Sequence, residues 1–151
     1  MVTSNWAGSY YLDSDGKMKT NSFTPDGYYC GADGVYVRNA WIKYNGNYYY
    51  VNANGLMKKN AWVGDYYLGD DGVMKANTFT PDGYYVGSDG AYLKNRWIGD
   101  YYLNSSGIKV TNAWVGNYWC GSDGKYVKSS WVDHDRYYVD SNGIYVAKAL
   151  K

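Results

Sequence analysis

The chain has 151 residues, among them 21 Tyr and 7 Trp, and it contains no Glu and no Gln. The loss of two good helix formers and the enrichment in residues favoured in strands predict an all-β protein with almost no helix. A formal net charge of +1, with Lys and Asp spread evenly along the chain, excludes the basic face that holds a nucleic-acid backbone. No apolar run of about 18 residues is present, so we expect no membrane insertion.

Eight repeats of one short aromatic phrase follow one another along the chain, spaced by 17 to 21 residues. Each begins with an aromatic head, and the heads are Trp6, Phe23, Trp41, Trp62, Phe79, Trp97, Trp114 and Trp131. An aromatic pair, an aliphatic or Cys residue and a turn closed by Gly follow each head. The pairs are Tyr10-Tyr11, Tyr28-Tyr29, Tyr49-Tyr50, Tyr66-Tyr67, Tyr84-Tyr85, Tyr101-Tyr102, Tyr118-Trp119 and Tyr137-Tyr138.

The turn in each repeat carries Asp-Gly, Asn-Gly or Ser-Gly between short apolar runs, as at Asp71-Gly72 and Asn54-Gly55. Such a turn is a strong β-hairpin signal because Gly accepts positive φ. One repeat alone is too small to be stable, since ordering it costs about 1.5 kcal/mol per residue. We therefore predict a single repeat domain over 1–151, an elongated solenoid of about eight stacked β-hairpins whose heads lie between consecutive hairpins.

Alternation along the second strand assigns its side chains to two faces. If the aliphatic or Cys position points into the stack, the first aromatic of each pair points with it and the second points outward. The sequence thus predicts an outward ladder of aromatic rings, formed by Tyr11, Tyr29, Tyr50, Tyr67, Tyr85, Tyr102, Trp119 and Tyr138.

Cys30 and Cys120 occupy the position that is Leu or Val in the other repeats. A buried free thiol behaves as a small hydrophobe, and the five-repeat separation argues against a disulfide, so we predict two buried thiols. The Asp-rich turns are explained by turn chemistry, and the single histidine, His134, lies in a variable spacer without a nucleophile around it. We expect no metal, no cofactor, no catalytic residue and no enzymatic activity.

The third repeat carries the full pattern of head Trp, aromatic triplet, aliphatic residue, turn Gly and Met. It reads Trp41-Ile42-Lys43-Tyr44-Asn45-Gly46-Asn47-Tyr48-Tyr49-Tyr50-Val51-Asn52-Ala53-Asn54-Gly55-Leu56-Met57. This phrase resembles the cell-wall-binding repeat shared by choline-binding modules and glucan-binding domains of Gram-positive surface proteins, and the resemblance covers all eight repeats. It implies a secreted, non-catalytic β-hairpin solenoid that tethers a partner domain to the cell surface.

In the choline-binding branch, the resemblance implies a cage made by the head Trp, a second Trp before the Tyr pair, and an aromatic of the next repeat. The second-Trp position is aromatic here only at Tyr48. The implied cage is therefore Trp41 and Tyr48 with Tyr67 of the next hairpin, and a second candidate pairs Trp97 with Trp119. Elsewhere, exposed rings flanked by Asp and Asn suit stacking on sugars.

Three hypotheses remain open from the sequence. In the first, aromatic clefts between hairpins bind a cell-wall polysaccharide or a teichoic-acid-type polymer, with choline as one candidate ligand, and anchor a larger secreted protein. In the second, the repeats are a structural spacer that recognises nothing. In the third, the outward ladder mediates self-association and gives a homodimer.

Overall fold

The computed structural model describes residues 5–148, which form seventeen short β-strands and no helix. The strands of the first half are β1 (Asn5–Ala7), β2 (Tyr10–Leu12), β3 (Ser22–Phe23), β4 (Tyr29–Cys30), β5 (Ala40–Tyr44), β6 (Asn47–Val51), β7 (Ala61–Val63) and β8 (Tyr66–Leu68). Those of the second half are β9 (Thr78–Phe79), β10 (Tyr85–Val86), β11 (Arg96–Ile98), β12 (Tyr101–Leu103), β13 (Ala113–Val115), β14 (Tyr118–Cys120), β15 (Ser130–Val132), β16 (Tyr137–Val139) and β17 (Tyr145–Val146). The all-β prediction is confirmed.

Each repeat folds as one antiparallel hairpin, made by the strand that carries the head and the strand that carries the aromatic pair. The eight hairpins are β1–β2, β3–β4, β5–β6, β7–β8, β9–β10, β11–β12, β13–β14 and β15–β16, numbered here 1 to 8, and β17 pairs with the far side of β16. The chain divides after Ala76 into two compact units, with hairpins 1 to 4 in the first and hairpins 5 to 8 in the second. That all of 1–151 acts as a single domain stays a prediction.

The hairpin turns do not lie where the sequence analysis put them. In hairpin 4 the two strands are joined at Gly64-Asp65, with Gly64 at φ +59°, and in hairpin 3 they are joined at Asn45-Gly46, where both φ values are positive. These are the two-residue turns that match strand twist. The Asp-Gly turns instead follow the second strand and lead to a short third segment, as shown by the bridge from Leu68 to Met74.

The predicted outward ladder is wrong. Across each hairpin the second aromatic of the pair lies directly opposite the head, and opposed residues point to the same face. Tyr11 lies 5.3 Å from Trp6, ring centroid to ring centroid, and is only 8% exposed. Tyr67 is similarly buried against Trp62, and the other members of the ladder are at least half-buried.

The physical reason is that an interior hairpin has a neighbour on each of its two faces. Hairpin 3 illustrates this, since its Tyr49 lies 4.9 Å from Phe23 of hairpin 2. On its opposite face, Trp41 lies 5.5 Å from Tyr66 of hairpin 4. The prediction that heads lie between consecutive hairpins is confirmed at these junctions. The error was the assumption, made from the sequence, that each hairpin packs through one face only.

The aliphatic or Cys position forms the core of each unit. Seven of its eight members are fully buried, namely Cys30, Val51, Leu68, Val86, Leu103, Cys120 and Val139, and Leu12 is half-buried. Both cysteines are free thiols, as predicted, and burial raises the pKa of each thiol above its ordinary value. No helix that could cross a membrane occurs among residues 5–148.

Candidate functional site

Within the two units, and among the described residues 5–148, three junctions between consecutive hairpins present a cage of three aromatic rings. In the Trp6 cage, the head Trp6 of hairpin 1 lies 5.3 Å from Tyr28 and 5.7 Å from Tyr36, both supplied by repeat 2. The two tyrosine rings are themselves 5.7 Å apart, so the three rings contact one another pairwise. All three contacts are edge-to-face, the favoured geometry for aromatic pairs.

Two cages of the second unit repeat this arrangement. In the Trp97 cage, Tyr118 and Tyr126 lie 5.4 and 5.8 Å from the head. In the Trp114 cage, Tyr137 and Tyr145 lie 5.8 and 5.7 Å from the head. Each cage therefore takes its walls from the head, the first aromatic of the next repeat, and a Tyr two residues after the turn Gly of that repeat. We call this last position the third wall.

Backbone hydrogen bonds between hairpins hold the third walls in place. The N–H of Tyr36 donates to the carbonyl of Ser9 at 3.1 Å, in the turn of the preceding hairpin. The N–H groups of Tyr126 and Tyr145 donate in the same way to Asp100 and Asn117. Because these bonds run from backbone to backbone, the position of the third wall is fixed by the fold and does not depend on its side chain.

The backbone of a turn glycine in the following repeat packs directly against the ring of the third wall. Gly55 has φ +83°, and a Cβ at this position would lie 2.6 Å from the Tyr36 ring and 3.1 Å from the Tyr28 ring. Gly143 stands in the same relation to Tyr126, where a Cβ would lie 2.5 Å from the ring. These glycines therefore meet two demands, positive φ and close approach of the backbone to an aromatic face.

The Trp6 cage also carries a carboxylate. Trp6 Nε1 donates a hydrogen bond of 2.9 Å to Asp26, whose other oxygen accepts from the Thr24 hydroxyl. Burial acts to raise the pKa of Asp26, but the hydrogen bonds from Thr24 and Trp6, together with one from the backbone, lower it by more, and the net pKa lies below the ordinary 3.8. The group is thus charged at neutral pH and places a negative charge at the rim of the three rings.

Two of the cages open onto cavities. The Trp6 cage lines a cavity of about 290 Å³ together with Gly8, Asp26 and Asn54. The Trp114 cage lines one of about 180 Å³ with Gly116 and Asn117. Since one water takes about 30 Å³ of liquid volume, either cavity has room for a headgroup of several heavy atoms.

Convergent aromatic faces are suited to binding a desolvated cation. Each ring within about 6 Å of a cation contributes about 0.5 to 2 kcal/mol of attraction. A quaternary ammonium fits such a site best, because it needs no hydrogen-bond acceptors and carries an apolar surface of methyl groups. The chemistry of the three cages is therefore that of an organic-cation site.

The structure does not assemble Trp41, Tyr48 and Tyr67 into one cage. Trp41 is in contact with Tyr50 and Tyr66. Tyr48 is exposed, with the ammonium of Lys43 5.7 Å from its ring centroid. Tyr67 faces Trp62 of its own hairpin.

Trp97 and Trp119 likewise do not pair with each other in the structure. Trp97 contacts the first aromatic, Tyr118, while Trp119 packs 5.3 Å from Trp114. Tyr67 and Trp119 are both the second aromatic of their pair, and each lies opposite the head of its own hairpin. Trp41 and Trp97 do face the next repeat as expected.

Sequence reasoning missed the third walls Tyr36, Tyr126 and Tyr145. The signal was present, because a Tyr recurs two residues after the turn Gly. Reading that turn as the middle of the hairpin hid the third segment and therefore its role.

A separate groove of about 610 Å³ lies beside Trp119 in the second unit. It is also lined by Trp131, Asn112, Ser122 and Asp133. His134, at the edge of this groove, is exposed and lies 3.3 Å from Asp133. Flat indole rings next to hydroxyl, amide and carboxylate groups are the surface that sugar recognition requires.

The Asp-rich turns use their carboxylates for backbone hydrogen bonds. Asp71 accepts from the N–H of Val73 at 3.0 Å, and Asp33 and Asp89 do the same two residues on. No cluster of three or more possible metal ligands occurs in the described range 5–148.

Comparison with known proteins identifies the repeats. The choline-binding repeat family matches residues 1–36, 56–92, 91–126 and 108–145. No curated protein is significantly similar in sequence. The choline-binding domain of CbpL from Streptococcus pneumoniae is 31% identical, with a TM-score of 0.62 and full coverage of both chains.

Two further solved structures from Streptococcus pneumoniae are similar over part of their length. The modular autolysin LytC, solved with a synthetic peptidoglycan ligand, is 28% identical with a TM-score of 0.82, over 96% of this chain and 37% of LytC. CbpF, crystallised in the presence of a peptidoglycan analogue, is 26% identical with a TM-score of 0.57, over 91% of this chain and 61% of CbpF. This chain thus spans only part of both. Because the family matches well over half of its residues, the protein belongs to the choline-binding repeat family.

Proposed function

We propose that this chain is a non-catalytic module that binds choline-bearing polymers of a Gram-positive cell wall through the aromatic cages between its hairpins. The observation that carries the proposal is the recurrence of one three-ring geometry at Trp6, Trp97 and Trp114. At Trp6 and Trp114 the three rings also open onto a cavity with room for an organic cation.

Family membership supports the same ligand, because choline-binding repeat domains are binding modules. Repetition of a weak site suits a polymer ligand, since several choline groups on one chain engage several cages at once. The overall avidity then exceeds the affinity of one cage by orders of magnitude without any new contact. A secreted protein that holds an attached domain at the cell wall is the role that follows.

The self-association hypothesis has lost its motivating observation. It rested on an exposed aromatic row, but the second aromatics of the pairs are buried or half-buried. The spacer hypothesis remains the alternative, and it predicts that no cage takes a ligand.

A second candidate function is glycan binding at the groove beside Trp119 and Trp131. The pairing of two indole rings with Ser122 and Asp133 favours it. Muropeptides added to the protein would perturb the amide NMR signals of Ser122 and Asp133 if this candidate holds. Perturbation confined to the cages, or none at all, would remove it.

Calorimetric titration of the full chain with choline chloride tests the main proposal. We expect saturable binding at several sites and a matching change in Trp fluorescence. Tyr145→Leu removes an exposed wall of the Trp114 cage and should reduce the number of bound cholines by one. Tyr10→Leu changes an equally exposed Tyr outside the cages and should leave the number unchanged. An unmodified protein that binds no choline at millimolar concentration would overturn the proposal in favour of the spacer.

A further inference from the structure

The junction between hairpins 5 and 6 follows the plan of the cages but has a different head and a different third wall. Its head is Phe79, whose ring lies 5.3 Å from that of Tyr101, the first aromatic of the next repeat. The third-wall position, two residues after Gly107, is Lys109. The Lys109 ammonium lies 4.8 Å from the Phe79 ring centroid and 4.6 Å from that of Tyr101.

The fold holds this lysine in place. Its backbone bridges to Leu103, a fully buried core residue, so its Cα is fixed relative to hairpin 6. Its side-chain stem runs past Gly124, where a Cβ would lie 3.5 Å from the lysine Cδ and 3.2 Å from the Tyr101 ring. The side chain is half-buried as a result.

The two rings are the electrostatic partners of this ammonium. Lys109 forms no salt bridge within the described residues 5–148. Of the cations that lie over rings in that range, Lys109 is the one placed over two. Lys43, for comparison, lies 5.7 Å from a single ring, that of Tyr48.

The third-wall position is Met or Tyr in the other seven repeats. Its residues are Met18, Tyr36, Met57, Met74, Tyr92, Lys109, Tyr126 and Tyr145, so one of eight is charged. At the corresponding junction of the first unit, Phe23 and Tyr49 have Met57 at this position. Lysine therefore stands where the fold otherwise places an uncharged wall.

We propose that Lys109 is an internal ligand, whose ammonium occupies the Phe79–Tyr101 site and keeps dissolved organic cations out of it. An attached group acts at a local concentration on the order of mM, so a weakly bound cation in solution does not displace it. The inference rests on the proposed function for the identity of the competing ligand, choline. The occupancy of the site by Lys109 itself does not depend on that function.

The first experiment measures occupancy without any ligand. In a carbon–proton correlation spectrum of the full chain, ring currents of two aromatic faces should shift the Lys109 Hε signals upfield of those of every other lysine. Lys109→Met identifies the signal by its disappearance. A Lys109 Hε signal at the position of solvated lysines would overturn the proposal, whatever the protein binds.

The second experiment counts sites by calorimetric titration with choline chloride. Lys109→Met, which copies Met57, and Lys109→Tyr, which supplies the third wall found in the Trp cages, should each bind one more choline per chain than the unmodified protein. Lys43→Met removes a lysine over a single ring and should leave the number unchanged. An unchanged number in both Lys109 variants, with their fold verified by circular dichroism, would overturn the proposal.

The two proposals fail in different ways. If the unmodified chain binds no choline but the Lys109 Hε signals are shifted, the proposed function fails and the internal ligand stands. If the chain binds choline and the signals are not shifted, the internal ligand fails and the proposed function stands.

Discussion

The Trp6 cage and the Phe79–Tyr101 site share one scaffold but present opposite chemistry to solvent. Both consist of a head, the first aromatic of the next repeat and a third-wall residue after the turn Gly. In the first, Tyr36 completes a ring of aromatic faces and Asp26 adds a negative charge. In the second, Lys109 fills the space between the rings with a positive charge.

The comparison shows that the repeat fixes the position of a site, and that the side chain of the third wall determines the chemistry of that site. The third wall is held mainly through its backbone in the Trp cages, so its side chain is free to vary without loss of the hairpin. The same hairpin stack therefore builds open cages and, as proposed for Lys109, a site filled by the protein's own side chain.

The largest effect should come from the core that both kinds of site share. Leu103→Ala removes a fully buried side chain of hairpin 6 and should lower the free energy of unfolding by about 3 kcal/mol. Urea unfolding measures the loss, with exposed Ile108→Ala as the control that stays within about 1 kcal/mol. A loss as small as that of the control would mean that the rings, and not the aliphatic core, stabilise the stack.

A pair of glycine variants separates backbone strain from the contact with the cage. Gly46→Ala, at φ +81° with open space around it, should cost about 1 to 2 kcal/mol for the left-handed backbone alone. Gly55→Ala, at φ +83°, should cost more and also weaken choline binding at the Trp6 cage, because its Cβ meets Tyr36 and Tyr28. Urea unfolding and calorimetry measure the two effects, and equal losses of stability would show that the ring contact is unimportant.

The carboxylate of the Trp6 cage should have a smaller effect, confined to that cage. Asp26→Asn keeps a hydrogen-bond acceptor for Trp6 but removes the charge, and should lower choline affinity there about two- to five-fold, as for a partly exposed charge. Because the pKa of Asp26 is lowered in the folded protein, its contributions to binding and to stability are present at neutral pH. They are lost as pH falls below 3.8 through that lowered pKa. Affinity at the Trp6 cage that is equal in both proteins at pH 7 would contradict this role.

The smallest effect should come from substitution of the two cysteines, one of which lies in a Phe-headed hairpin and the other in a Trp-headed hairpin. Cys30→Val and Cys120→Val should each change stability by less than about 1 kcal/mol, since Val fills the same position in other repeats. Burial raises both thiol pKa values, so alkylation at pH 8 should be slow in the folded protein and fast in urea. A thiol that reacts quickly in the folded state would show that its hairpin has a looser core.

Much of the fold followed from residue patterns that act locally. The heads and the aromatic pairs predicted eight hairpins, although the turn glycines were assigned to the wrong turn, and the Leu/Val/Cys position predicted the buried core, including both thiols. The residues proposed for the site stay a prediction, although their placement is now known: Trp97 faces the next repeat, whereas Tyr67 and Trp119 lie opposite the heads of their own hairpins.

The sequence by itself determined that this chain is a β-hairpin repeat whose Trp heads lie between neighbours, since periodicity and turn chemistry are local properties. Which rings meet was decided by the tertiary structure. The direction in which a ring points depends on whether neighbouring hairpins cover one face of its hairpin or both. It also depends on which turn joins the two strands. The spacing of residues along the sequence specifies neither. For the same reason, the third walls at Tyr36 and Lys109 became a cage wall and an internal cation only once hairpins were placed side by side.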